Sequence, residues 1–235
     1  MLFSVSRVFL GDPVEHETGS ELALALHAVA AGESLTVSSP SADSLLFLAA
    51  GAGELSLGGG EHALAEGSAA LVLAAETATV TAAPDGLEIV RATVGPYVDR
   101  HAPIGAREVV VPLDRVGEDS ATGKRSFQIL FGPHNGSTRA TFFAGSIPPG
   151  QAPWHYHLYD EIVWVPAGPG RLHLEGGAEE LGPGAAFRLH AREVHIVENA
   201  GDADMLVLGV FTPAGSPAAA YLPAGSEATY SFASR

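Results

Sequence analysis

The chain repeats itself, and that repeat narrows its possible folds more than any other feature. The segments SLLFLAAGAGELSLGGGEHALAEGSAALVLAAETATVTAA and EIVWVPAGPGRLHLEGGAEELGPGAAFRLHAREVHIVENA align without a gap at an offset of 117 residues. Gly51 and Gly53 meet Gly168 and Gly170, and Leu55 and Leu57 meet Leu172 and Leu174. Gly59, Gly60, Leu64 and Gly67 meet Gly176, Gly177, Leu181 and Gly184. Matches confined to alanine would be expected by chance in a Gly/Ala-rich chain. An ungapped frame of glycines and leucines over about 40 residues points to duplication of one structural unit.

Each copy reads as strands. EIVWVPA is rich in β-branched and aromatic residues and runs into Gly-Pro-Gly, while RLHLEGG alternates and ends in a glycine turn. EVHIVENAG alternates again, STRATFFAGSIPPG is closed by Pro-Pro-Gly, and no sustained helical period appears in the second half. The 28 glycines and 16 prolines fit many short elements joined by tight turns, hence an all-β plan. We expect a first unit over residues 1–100, a Pro/Gly-punctuated linker over 101–125, and a second unit over 126–235.

Composition removes several function classes. The formal charge is −15 and no basic stripe is visible, so neither nucleic acid nor an anionic membrane is an expected partner. The absence of cysteine excludes disulfides, thiolate metal sites, iron–sulfur clusters and thiol nucleophiles. The apolar run in MLFSVSRVFL is short and lacks a clear cleavage site, and LALALHAVAA is too short for a span and carries His27. The expectation is a soluble, cytoplasmic protein.

Chemistry concentrates in PWHYHLYDE. Residues two apart share a face of a strand, so His155 and His157 can reach one ion, and Glu161 keeps their parity if the strand continues. His195 lies on a later strand. Trp154, Tyr156, Tyr159, Val163, Trp164 and Val165 make this an apolar neighbourhood in which unpartnered imidazoles would be costly, a cost that a shared ion removes. Three imidazoles and a carboxylate suit one divalent Fe, Mn, Ni, Co or Zn ion and leave positions open for a ligand.

The spacing resembles the cupin superfamily. Gly150, His155-Tyr156-His157, Glu161 and Gly168 follow its first motif, with a spacer one residue short after Gly150. Gly184, His195 and Asn199 follow its second motif, with His190 and Arg192 standing where the family has proline and glycine. The resemblance implies two tandem antiparallel β-barrels of the double-stranded β-helix, or jelly-roll, kind, a bicupin. It also implies that His155, His157, Glu161 and His195 converge on one ion in the second barrel. At the same offset the first copy has Ser38, Pro40, Ser44 and Ala78 in place of these four, so no metal is expected there and the first barrel's expected role is structural.

Other candidates carry less. His190 could be a base, so Glu161 and His190 are the catalytic candidates. Trp154 and Tyr159 could line the mouth, and Arg188 and Arg192 could bind a substrate anion. His27 and His62 read as surface or packing residues, and the FGPHNGSTR loop reads as a turn. Similar barrels include dioxygenases, which implies an O2-dependent oxidoreductase acting on a small aromatic or enol-type molecule. The alternatives are a Lewis-acid isomerase, epimerase, lyase or amidohydrolase on a carboxylated or sugar substrate, and a non-catalytic small-molecule binder. A homodimer is the expected assembly.

Overall fold

The computed structural model describes residues 22–223. The readings made on Met1–Leu10 and at the outer ends of the two expected units lie outside them. All strand pairing among the described residues is antiparallel, and their helices are two 3-10 turns, Leu113–Arg115 and Thr122–Lys124. No helix among them is long and apolar enough to cross a membrane.

The first copy comprises β1 (Leu22–Val29), β2 (Ser34–Ser38), β3 (Asp43–Leu57), β4 (Gly60–Ala65), β5 (Ser68–Val72) and β6 (Thr77–Val94). After β7 (Val110–Pro112) and β8 (Asp119–Ser120), the second comprises β9 (Ser126–Phe131), β10 (Thr141–Ile147), β11 (Asp160–Val165), β12 (Gly170–Leu174), β13 (Gly177–Leu181), β14 (Ala185–Leu189), β15 (His195–Asn199) and β16 (Met205–Thr212). The stretch 101–125 is divided between the copies, since β7 pairs with β5 and β8 pairs with β9.

The repeat holds at the level of register. Gly53 pairs with Ala82 and Leu57 with Ala78, as Gly170 pairs with Asn199 and Leu174 with His195. β3 and β6 are continuous where the second copy breaks each into two strands, β11 and β12, and β15 and β16. Pro169 has no N–H for a ladder and stands between β11 and β12. The first copy bends instead through bulges around Ala50 and Gly51. Gly51 sits at φ +83°, and a Cβ there would lie 2.2 Å from the Gly86 carbonyl oxygen.

Alternation along the strands builds three apolar layers. Leu46 and Leu48 face the interior of the first barrel with Val37, Val72 and Ile89. Val163, Leu172, Phe187, Val197 and Val207 fill part of the second. The opposite faces, with Leu45, Phe47, Leu71 and Val90 from one copy and Phe131, Phe142, Trp164 and Leu208 from the other, form one cluster between the barrels. Arg139 pins this seam. Its Nε lies 3.5 Å from Asp43 Oδ2 and its Nη1 donates to the Gly95 carbonyl at 3.0 Å, while Asn135 is buried and bonded to Gly132 and Leu130.

Candidate metal centre

The expected strand through His155 and His157 is in fact a short bridged segment. His155 and His195 exchange backbone hydrogen bonds of 3.2 and 2.9 Å, and on the next residue Tyr156 and Tyr221 do the same at 2.9 Å. Residues 158–159 then bend before β11 begins. That bend replaces the continuous strand expected from parity, yet Glu161 still reaches the cavity with the histidines.

His155, His157 and His195 are buried, and one ring nitrogen from each lies within 4.8 Å of the others. Each Nδ1 faces a backbone carbonyl: Pro153 at 2.9 Å for His155, Ala219 at 3.1 Å for His157 and Glu193 at 2.9 Å for His195. Donation from Nδ1–H to those carbonyls selects the tautomer whose Nε2 carries a free lone pair. Burial is the main force keeping the rings neutral. It pulls the pKa of His155 down to about 2, that of His157 to about 4 and that of His195 to about 3, and Arg125 reinforces all three shifts. Three neutral imidazoles held in this way fit a divalent cation.

Glu161 lies beside the cluster, with Oε2 4.0 Å from His157 Nε2. Burial raises its carboxyl pKa to about 8, and Arg125 offsets only part of that. Gly209 provides its space, since a Cβ there would stand 2.3 Å from the Phe143 ring and 3.0 Å from Glu161 Oε1. Tyr159 is buried, stacked on His157 with ring centroids 4.6 Å apart and on Phe211 at 3.9 Å. Burial, and then Glu161, push its hydroxyl pKa well up.

These groups border a cavity of about 80 Å³. Its walls are apolar, with Phe143, Val163, Leu189, Val197 and Val207, and its polar side is His155, His157, His195, Glu161, Tyr159 and Arg125. Pro217, Ala218 and Ala220 border it too, as part of a strap of residues 214–221. The strap is tied down where the Gly215 N–H donates to Thr141 Oγ1 at 2.9 Å and where Tyr221 stacks on Tyr156 with centroids 5.6 Å apart.

Four sequence candidates stand elsewhere. Trp154 is 41% exposed and packs edge-on against His173, because its neighbour His155 takes the inward side. Arg188 alternates with the cavity residue Leu189, so it points to the other face of β14 and pairs with Asp160 at 3.2 Å. His190 has a half-exposed side chain and reaches the same Asp160, with Nδ1 3.8 Å from Oδ1. Arg192 is exposed, and only its backbone contributes, donating its N–H to the His157 carbonyl at 2.6 Å.

Arg125 was missed because it ends the expected linker and belongs to no motif. It is half-buried on the cavity wall, and burial lowers its pKa while Glu161 and Tyr159 hold it up. In the first copy, the pairing of Val37 with Ala78 corresponds to that of His155 with His195, so Val37 rather than Ser38 is the counterpart of His155. Ser44 pairs with Val72 as Glu161 pairs with Leu189. Val37 and Ala78 are fully buried and apolar where the second barrel has two histidines.

A family model described as Cupin domain matches residues 145–211. No curated protein sequence matches the chain. Among solved structures it is similar to AerE from Microcystis aeruginosa (14% identity, 82% of this chain and 88% of that chain, TM-score 0.69). It is also similar to a point mutant of Bacillus subtilis oxalate decarboxylase OxdC (13% identity, 83% and 70%, TM-score 0.66). A third is the putative glyoxylate induced protein from Pseudomonas aeruginosa (15% identity, 81% and 74%, TM-score 0.68). At these identities the likeness bears on the fold alone, and it spans both copies of the repeat. The Cupin domain match is seated on the barrel that holds the three histidines, so residues 145–211 carry a cupin domain.

Proposed function

We propose that the chain is a metal-dependent enzyme whose second barrel acts on a small carboxylate-bearing molecule, with His155, His157, Glu161 and His195 as the ligands of one divalent ion. The observation that carries this reading is Arg125, which borders the same cavity as the three inward-facing imidazoles. A guanidinium across from a cation site can hold one end of a substrate while another of its atoms lies at the ion. When bound, the ion would supply Lewis acidity and, if redox-competent, a route for O2.

The residues divide the remaining work. Arg125 binds and orients the carboxylate. The Tyr159 hydroxyl, kept protonated by its surroundings, donates a hydrogen bond to a substrate oxygen. Phe143, Val163, Leu189 and Val207 exclude water, and the strap limits the size of what enters. The all-nitrogen-and-oxygen donor set and the dry walls favour an oxidoreductase of dioxygenase type on an enol or keto carboxylate. The proton-transfer alternative draws support from Glu161 standing off the ion, where burial raises its carboxyl pKa to about 8 and lets it exchange a proton with substrate near neutrality. Among the similar solved structures is one of Bacillus subtilis oxalate decarboxylase concerned with its Mn(II) centres, which agrees with a small carboxylate and a divalent ion.

Metal content measured by plasma mass spectrometry, beside a His155→Ala/His157→Ala variant, tests the site. One ion per chain, lost in the variant, is expected, and no ion under any loading condition would overturn the reading. O2 consumption by the loaded enzyme with small enol and keto carboxylates then separates the oxidoreductase from the proton-transfer reading.

A further inference from the structure

Inside the first barrel, two basic side chains stand where the second barrel has glycines. Ala25 pairs with Arg91 and His27 with Ile89, as Phe143 pairs with Gly209 and Gly145 with Val207. On the next strand Leu46 pairs with Arg91 as Val163 pairs with Gly209. Arg91 therefore replaces Gly209, and His27 replaces Gly145. In the second barrel Gly145 borders the cavity and Gly209 leaves room for Phe143 and Glu161. The first barrel directs a guanidinium and an imidazole onto that same inner face, one strand and two residues apart, a diagonal that long side chains span.

Both side chains are half-buried, and each has bonding capacity to spare. Arg91 Nε donates to the buried Ser44 Oγ at 3.1 Å, and no carboxylate approaches the guanidinium among the described residues. Burial accordingly lowers the Arg91 pKa with nothing to offset it. His27 Nε2 is buried without a hydrogen-bond partner, and burial and then Arg91 lower its pKa. The chain carries 27 acidic side chains against 12 basic ones, so an arginine left without a carboxylate here is unusual. A buried polar atom such as His27 Nε2 is otherwise almost always satisfied, and an absent anion or water is a standard explanation for such an orphan.

We propose that the first barrel binds a small carboxylate through the Arg91 guanidinium, the Ser44 hydroxyl and His27 Nε2, at a site separate from the second-barrel cavity. The two terminal guanidinium nitrogens match the two carboxylate oxygens. Ser44 accepts from Arg91 Nε and has its own O–H left to donate, and His27 donates in its Nε2–H tautomer. The barrel without the histidine cluster thus keeps a ligand-binding interior of different chemistry.

The test is a titration of the 15N-labelled full chain with acetate, read at the arginine Nε–Hε resonances, with Arg91 assigned by comparison with Arg91→Lys. Chloride at matched ionic strength is the control. The expected result is a saturable shift of the Arg91 signal with acetate and not with chloride, unchanged in Arg125→Gln and weakened about tenfold in Ser44→Ala. The same shift with chloride, no saturation, saturation by inorganic phosphate alone, or loss of the shift in Arg125→Gln would each overturn it. If Arg91 responds and Arg125 does not, this inference stands and the carboxylate reading of the second barrel falls.

Discussion

Arg192 is a non-glycine residue at φ +69°, in the left-handed region, at a position where cupin motifs carry glycine. The turn is kept because its N–H must meet the His157 carbonyl, so the backbone holds the conformation at a cost of about 1 kcal/mol. Arg192→Gly should raise thermal stability by about that amount and leave metal content unchanged, as melting curves and metal analysis would report. Glu161 gives a pH prediction. Its carboxyl, ordinarily near 4.5, is raised to about 8 by burial, so near pH 7 the metal-free site holds a proton that an ion must displace. Loading should therefore release about one proton near pH 7 and almost none at about pH 9, with affinity rising in between. Calorimetry in buffers of different ionisation enthalpy reads this, and Glu161→Gln should abolish the release. The three histidines add nothing to it, since their lowered pKa values leave them neutral throughout that range. At this scale the three clustered histidines were legible because a motif fixes their spacing. Arg125 was not, because a lone arginine after a Gly-Lys turn carries no spacing to read.

The strap is the element on which the site most depends from outside the barrel wall. His155 and His195 are oriented by carbonyls two residues before each of them, whereas His157 is oriented by Ala219. Tyr221→Ala removes the stacking on Tyr156 that fastens this segment. Metal affinity should fall roughly tenfold or more, as losses of an orienting partner do. The Co(II)-loaded protein should show an altered ligand-field spectrum, while the melting temperature of the metal-free chain changes little. An unchanged spectrum and affinity would mean that the Ala219 carbonyl does not position His157. The strap escaped the sequence because GSPAAAYLP has neither alternation nor helical period, and its pairing with Tyr156 and His157 is a long-range contact. β5 and β14, by contrast, align at the repeat offset residue for residue, because an ungapped glycine and leucine frame leaves the register little freedom.

At the scale of the molecule, the barrels share the apolar layer that holds Leu45, Phe47, Phe142 and Trp164, closed by the buried Arg139–Asp43 pair. Residues 126–235 expressed alone would expose half of that layer and leave Arg139 without its carboxylate, and should be insoluble or molten. The full chain should unfold in one transition, with the emission of the buried Trp164 shifting red together with the loss of β-sheet circular dichroism. Two separated transitions would show that the barrels are energetically independent. The duplication was readable from the repeat, but the seam was not, since β3 and β11 read the same whether their outer faces meet water or each other. The strap also bears on how the protein is made. A ribosome delivers the residues in order, and the carbonyl that orients His157 within the imidazole cluster belongs to residue 219. The nascent chain cannot finish the histidine pocket until nearly all of the second barrel has been synthesised. Capture of an ion at the proposed site would then be a late event in the protein's biogenesis, drawing on whichever metal is available once translation has passed the strap.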